Sequence, residues 1–313
     1  MKTLFIIGNG FDCYGHQLKT KYTDFRRYII NNYPDYNYDY DGLIESTLMP
    51  DGDNGYDMDA LVGSIISLMD NCAKPDWSEL EASAGTIYAS SILDRNEQYF
   101  HDVDWNDDDK AIRDAIYNNE DISNDITNGF IQLKQLFEEW AFEDLSKIDF
   151  SNVKKIRKPS FKDAVFLNFN YTSTLEDLYD IPVKNICHIH GFAKDNQSYI
   201  LFGHGEEESI HVPADYFGAN EAFDSLVHYM RKDTYGAIKR NQKFFNSLTK
   251  INKIYSYGFS FSDVDMCYIE EISTRINPQK VRWYFNSHDW KNNKDNIEKI
   301  KAYGYKVRKC GRW

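Results

Sequence analysis

The stretch Lys2-Thr3-Leu4-Phe5-Ile6-Ile7-Gly8-Asn9-Gly10-Phe11-Asp12 decides the fold class. Its short apolar run, rich in β-branched and aromatic residues and stopped by a glycine pair, reads as a strand buried on both faces. A strand of that kind ending in glycines predicts an α/β sheet. Downstream, residues 21–32 place Tyr22, Phe25, Tyr28 and Ile29 three to four apart, as one face of a helix would.

Further along, strand-like runs at 164–169, 183–190, 199–202, 253–257, 281–285 and 305–309 alternate with helical stretches, the last of them at 292–302. That alternation predicts a Rossmann-like, mostly parallel sheet. Between its parts, residues 31–160 alternate acidic, Tyr/Asn/Asp-rich connectors with helical stripes: Trp77, Leu80, Ala84, Ile87 and Tyr88, then Ile122, Ile126, Phe130, Leu133, Phe137 and Trp140. The expected organisation is a core of 1–30 and 161–313 around a large helical insertion at 31–160.

The chain has 313 residues and a net charge of −13. Residues 1–150 carry 11 basic and 30 acidic side chains, whereas 151–313 carry 25 and 19. So acidic a first half argues against non-specific duplex binding, which depends on phosphate neutralisation. The mildly basic second half leaves room for a small anionic ligand. No apolar run approaches the roughly 20 residues of a membrane span, and Leu4 to Ile7 is too short for a signal peptide's apolar region. A cytoplasmic location without membrane contact is expected. Five scattered cysteines suggest reduced thiols, with neither a disulfide framework nor a four-cysteine zinc site.

Four segments could carry chemistry. In Gly8-Asn9-Gly10-Phe11-Asp12, glycines after a first strand let backbone approach a phosphate. Cys13 replaces the third glycine of the dinucleotide fingerprint, and a plain tight turn is the rival reading. Asn168-Phe169-Asn170-Tyr171-Thr172-Ser173-Thr174-Leu175-Glu176 puts Asn170 at a strand's carboxyl end, although Thr172 or Ser173 also suits a helix cap. Cys187-His188-Ile189-His190-Gly191 puts both histidines on one face by period two, for a catalytic His190, a metal site completed by His204, His211 or a carboxylate, or a merely structural histidine. Gly258-Phe259-Ser260-Phe261-Ser262-Asp263-Val264-Asp265 offers Gly258, Ser260 and Asp263 to a ribose or phosphate, or simply starts a helix.

Two look-alikes are set aside. The run from Asp51 to Val62 resembles a calcium loop but has Tyr56 and Val62 where glycine and glutamate belong. Asp107-Asp108-Asp109 reads as a solvated loop.

Taken in order, Gly-Asn-Gly-Phe-Asp, Phe-Asn-Tyr-Thr-x-Thr-Leu-Glu, His-Ile-His-Gly, Phe-Gly-His-Gly and Gly-Phe-Ser-Phe-Ser-Asp-x-Asp resemble the bacteriophage abortive infection AbiH family over nearly the whole chain. The match extends to residues 20–25 and 77–81. The same order is similar to a remote sirtuin-like NAD-binding core. That likeness implies that Gly8, Asn9 and Gly10 hold the pyrophosphate and that Asn170 lies by the nicotinamide ribose or attacking water. It further implies His190 as base and Gly258 and Ser260 on the adenosine side. Asp12 would bind a ribose hydroxyl or cap the first helix. Thr172 stands where sirtuin-like proteins usually have Asp, and the paired cysteines of their zinc module are missing, which tells against protein deacetylation.

The expectation is a phage-defence effector that hydrolyses NAD or a related nucleotide, with no metal. Its partners would be a small nucleotide and a phage-derived or host trigger protein, self-association being left open. Two alternatives stand beside it. One is a nucleotide sensor without catalysis, and the other is a metal-dependent nuclease or phosphoesterase using His188, His190, His204 and acidic residues.

Overall fold

A computed structural model describes residues 2–38, 40–50, 54–74, 76–157, 159–205 and 209–311. Backbone contacts divide the chain into two compact units: Met1–Lys21, Trp140–Leu201 and Asp233–Trp313 form the first, and Tyr22–Glu139 with Phe202–Lys232 the second.

The first unit is built on six strands: β1 (Lys2–Ile7), β2 (Ala164–Asn168), β3 (Ile186–His188), β4 (Ile251–Tyr257), β5 (Arg282–Phe285) and β6 (Lys306–Lys309). Their order is β3-β2-β1-β4-β5-β6, and every neighbouring pair is parallel. This is the doubly wound order of a Rossmann-like sheet, as expected for the α/β class. All carboxyl ends open on one edge, and the winding reverses between β1 and β4, where such sheets bind ligands.

Strand β1 is the centre of both cores. Leu4, Phe5, Ile6 and Ile7 are fully buried, and alternation sends Leu4 and Ile6 to one face and Phe5 and Ile7 to the other. The first pair packs with Leu167, Ile254 and Trp283 beneath the helices Met266–Arg275 and Lys294–Ala302. The second packs with Phe166, Leu175, Leu178 and Phe161. At about 1.5–3 kcal/mol for each buried side chain, a one-residue slip of β1 would be costly on both faces at once.

The second unit is helical, with α1 (Tyr22–Asn32), α2 (Met58–Cys72), α3 (Thr86–Arg95), α4 (Asp109–Phe130) and α5 (Asn220–Met230). It begins at Tyr22 and ends at Glu139, against the expected 31–160, and adds a second segment. Residues from Trp140 onward belong to the sheet unit, where Phe150, Val153 and Ile156 pack on the Phe5 face. Residues 202–232 instead join the helical unit, because α5 buries Ala222, Phe223, Leu226, Val227 and Met230 and packs on α3 and α4.

Other local expectations also change. Residues 199–202 are buried or half-buried but form no strand; Leu201 N–H donates to His190 O at 2.7 Å. The run 183–190 pairs only over Ile186–His188, preceded by a tight turn after Pro182. The stripe through Trp140 breaks at Ile131 into two helices, whereas the helix expected at 292–302 forms as Lys294–Ala302, with a separate short helix, Ser287–Asn292, before it.

The acidic connectors have ordinary duties. Asp108 caps α4 by accepting from Lys110 and Ala111 N–H, and Asp57 caps α2 by accepting from Asp59 and Ala60 N–H. Residues 51–53 of the calcium-like run lie outside the described residues. Among the described residues no helix is long and apolar enough to cross a membrane.

Candidate functional site

Everything at the site follows from four parallel strands ending at one edge. After β1 the chain enters a wide π-type turn, Phe11–Gly15, and after β2 another, Thr174–Leu178. Single π turns recur at functional sites because they re-aim side chains that a regular helix would send elsewhere. His16 closes the first turn: Nδ1 donates to Phe11 O at 2.7 Å, and Nε2 accepts from the Tyr179 hydroxyl at 2.8 Å. Burial holds this imidazole below its usual range, which keeps it neutral for both bonds.

The glycines pack backbone on backbone. A Cβ at Gly8 would stand 2.4 Å from Gly258 O, and one at Gly10 would stand 2.6 Å from Gly258 Cα. Gly10 N–H donates to Gly258 O at 3.1 Å and Gly8 N–H to Tyr257 O at 3.0 Å. These amides therefore stitch the β1 turn to the β4 turn across the winding reversal. Gly258 takes a left-handed φ of +63°, and its own N–H donates to Asp289 Oδ2 at 3.2 Å. Asn9 is tied back to Thr20, donating to its carbonyl at 2.7 Å and accepting from its hydroxyl at 2.6 Å.

Asp12 is fully buried. Thr172 donates its hydroxyl to Asp12 Oδ2 at 2.5 Å, and Thr172 and Thr174 hydroxyls lie 3.0 Å apart. Burial pushes the Asp12 carboxyl up to about 6, although Thr172, Thr174 and Asn170 draw it down. Asp12 Oδ1 and Asn170 Oδ1 are both buried with no hydrogen-bond partner. Unpaired buried oxygens are costly and uncommon, and these two stand in the segments that follow β1 and β2. Beside them, Asn168 Oδ1 accepts from Asn170 N–H at 3.2 Å, and His188 Nε2 donates to Glu176 Oε1 at 2.7 Å.

His190 does not share a face with His188. Strand β3 ends at His188, a turn follows, and the alternation stops. The His190 ring stands edge-on to Phe169 at 4.9 Å and tilted to Tyr268 at 5.8 Å. Its Nε2 lies 3.2 Å from Asp265 Oδ1, while Asp265 Oδ2 accepts from the Ser262 hydroxyl at 3.0 Å. The two histidines thus serve different carboxylates. His204 lies in the helical unit, where Nε2 donates to Val227 O at 2.8 Å. Among the described residues no three His, Cys, Asp or Glu side chains converge as metal ligands.

The structure therefore brings Asp12 to Asn170, Gly8 and Gly10 to Gly258, and His190 to the same sheet edge. It leaves Ser260 exposed, and Asp263 points outward, 95% exposed and 2.8 Å from Lys299. Sequence reasoning missed Asp265, Glu176 and Asp289. Asp265 had a usable signal, since Ser262 and Asp265 are spaced as a helix start that joins two side chains. Glu176 ends the Asn-Tyr-Thr motif, but nothing in the spacing ties it to His188.

The same ordered motifs decide the family. The bacteriophage abortive infection AbiH family matches residues 4–287. The chain belongs to the AbiH family. That membership implies phage defence of the abortive-infection kind, and the matched span includes all four strand-end segments. No curated protein and no solved structure compared with the chain matches it.

Proposed function

We propose that this AbiH protein is a phage-defence effector with a sirtuin-like site that binds NAD or a related nucleotide and hydrolyses the nicotinamide–ribose bond. One observation carries the reading: two unpartnered buried oxygens, Asp12 Oδ1 and Asn170 Oδ1, lie at the ligand-binding edge that also holds His190 and its carboxylate Asp265. A ribose presents hydroxyl donors of the kind those oxygens lack. Thr172, in the place where sirtuin-like sites usually have Asp, holds Asp12, and in this reading the Asp12 carboxylate takes over that role.

In this reading a water oxygen attacks the ribose C1′ as the C1′–nitrogen bond breaks. Nicotinamide leaves with the bonding pair, and the water's proton passes to His190 and then to solvent. Asp265 orients the imidazole and stabilises its protonated form. Asn170 positions the water or the ribose, and Asp12 offsets the positive charge that develops on the sugar. The glycine turns set the edge's shape, because their amides at Gly8 and Gly10 already serve backbone carbonyls. A phage-derived or host trigger protein acting on the helical unit completes the proposal.

Incubating purified protein with NAD and quantifying free nicotinamide tests it. The expected result is release by wild type and none by His190→Ala, with NAD binding retained. Binding without release by wild type would convert the protein to a sensor. Neither binding nor release would end the nucleotide reading.

A further inference from the structure

Tyr14 belongs to the π-type turn after β1 and His288 to the short helix after β5, on either side of the β4 terminus. Tyr14 is 68% exposed, and the His288 side chain is 70% exposed. Their rings are nearly parallel, 24° apart in plane, with centroids 6.3 Å apart. Lys21 Nζ sits 4.6 Å from the Tyr14 ring centroid. Asp289 Oδ1, 3.4 Å from His288 Nδ1, fixes how the imidazole stands.

A lone exposed aromatic needs no explanation. Two from different loops, held face toward face at the ligand edge with a cation beside them, form a stacking platform. They also lie on the β1–β4–β5 half of the edge, whereas Asn170 and His190 lie on the β2–β3 half. Four strand spacings separate the ends of β3 and β5, about 19 Å, a span suited to an extended dinucleotide.

We infer that Tyr14 and His288 stack the purine of the bound nucleotide, with Lys21 beside the adjoining phosphate. The inference rests on the nucleotide reading above and adds where the base sits. No backbone amide is required, since aromatic faces accept any purine. Base selectivity at this end is therefore weak, and adenine and guanine nucleotides compete.

Calorimetric titration with NAD, AMP and nicotinamide mononucleotide tests the platform on wild type, Tyr14→Ala, Tyr14→Phe and His288→Ala. Both alanine variants should weaken NAD and AMP about five- to hundredfold while leaving nicotinamide mononucleotide unchanged. Tyr14→Phe should bind like wild type. Since both side chains are exposed, the variants should fold normally. Wild-type NAD affinity in Tyr14→Ala would overturn the platform alone. A wild type that binds none of the three ligands would overturn it together with the nucleotide reading.

Discussion

The Thr172 hydroxyl donates a 2.5 Å hydrogen bond to the Asp12 carboxylate across 160 positions of chain, joining the turns that follow β1 and β2. The bond favours the ionised acid. Thr172→Val should therefore raise the Asp12 pKa further above about 6, read by carbon-13 NMR titration of that carboxyl. An unchanged or lowered value would contradict the assignment of this bond.

Asp12 itself makes the fold pH-dependent. Because its folded pKa, about 6, exceeds the ordinary 3.8, the native state holds the proton more tightly than the unfolded chain. Stability from this group is fully present below the ordinary value and is lost as pH rises through about 6, on the order of 3 kcal/mol in all. Asp12→Asn should flatten that dependence and be at least as stable as wild type at neutral pH, while losing activity. Denaturant melts across this range decide the matter, and an unaltered slope in the variant would refute it.

Asp265 is expected to act through His190. Asp265→Asn should lower kcat about ten- to hundredfold, by analogy with other carboxylates that orient imidazoles, and shift the acidic limb of the pH–rate profile downward. Nucleotide affinity should barely move. A variant that loses binding and turnover together would make Asp265 merely structural.

Gly258→Ala sets the cost of the backbone contact. The new methyl carbon would lie 2.4 Å from Gly10 Cα at a φ of +63°, so roughly 2–4 kcal/mol of stability should be lost. Gly304→Ala is the control: its φ is +90°, but nothing approaches closer than 3.7 Å. That variant should lose only about 1 kcal/mol. Equal losses in thermal melts would mean that the close approach costs nothing.

In the helical unit, Arg26 grips Asp70 through two bonds of 2.8 and 2.7 Å, and Trp77 Nε1 adds a third at 2.7 Å. Burial pushes the Asp70 carboxyl up, but the Arg26 and Trp77 bonds outweigh it and hold it below the usual range. Its contribution is present above the ordinary carboxylate value and disappears as pH falls through the lowered one. Asp70→Asn should cost about 1.5–3 kcal/mol near neutrality, measured by hydrogen exchange in α1 and α2. Unchanged protection there would show that the grip contributes little.

The sheet was legible where local pattern and burial agree. Leu4 to Ile7 read as doubly buried and is, and the motif order placed Gly8, Asn170, His190 and Gly258 after successive parallel strands. Period two failed at His190 because a strand rule says nothing past a strand's last residue. Asp263 looked like the binding acid, yet the tight turn at 263–265 aims it at solvent and brings Asp265 inward. The amphipathic stripe of α5 would serve a sheet face or a helix bundle equally well, so its membership of the helical unit needed coordinates. For the same reason Tyr199 to Phe202 looked like a strand: an aromatic and aliphatic composition does not reveal whether a neighbour supplies hydrogen bonds.

The chain changes unit after residues 21, 139, 201 and 232, and this orders events on the ribosome. The helical unit has all its residues once Lys232 is made, when only β1, β2 and β3 of the sheet exist. Asp265, the carboxylate beside His190, is synthesised 33 positions later. A nascent or prematurely terminated polypeptide that stops at Lys232 thus lacks half of the strands on which the sheet unit is built.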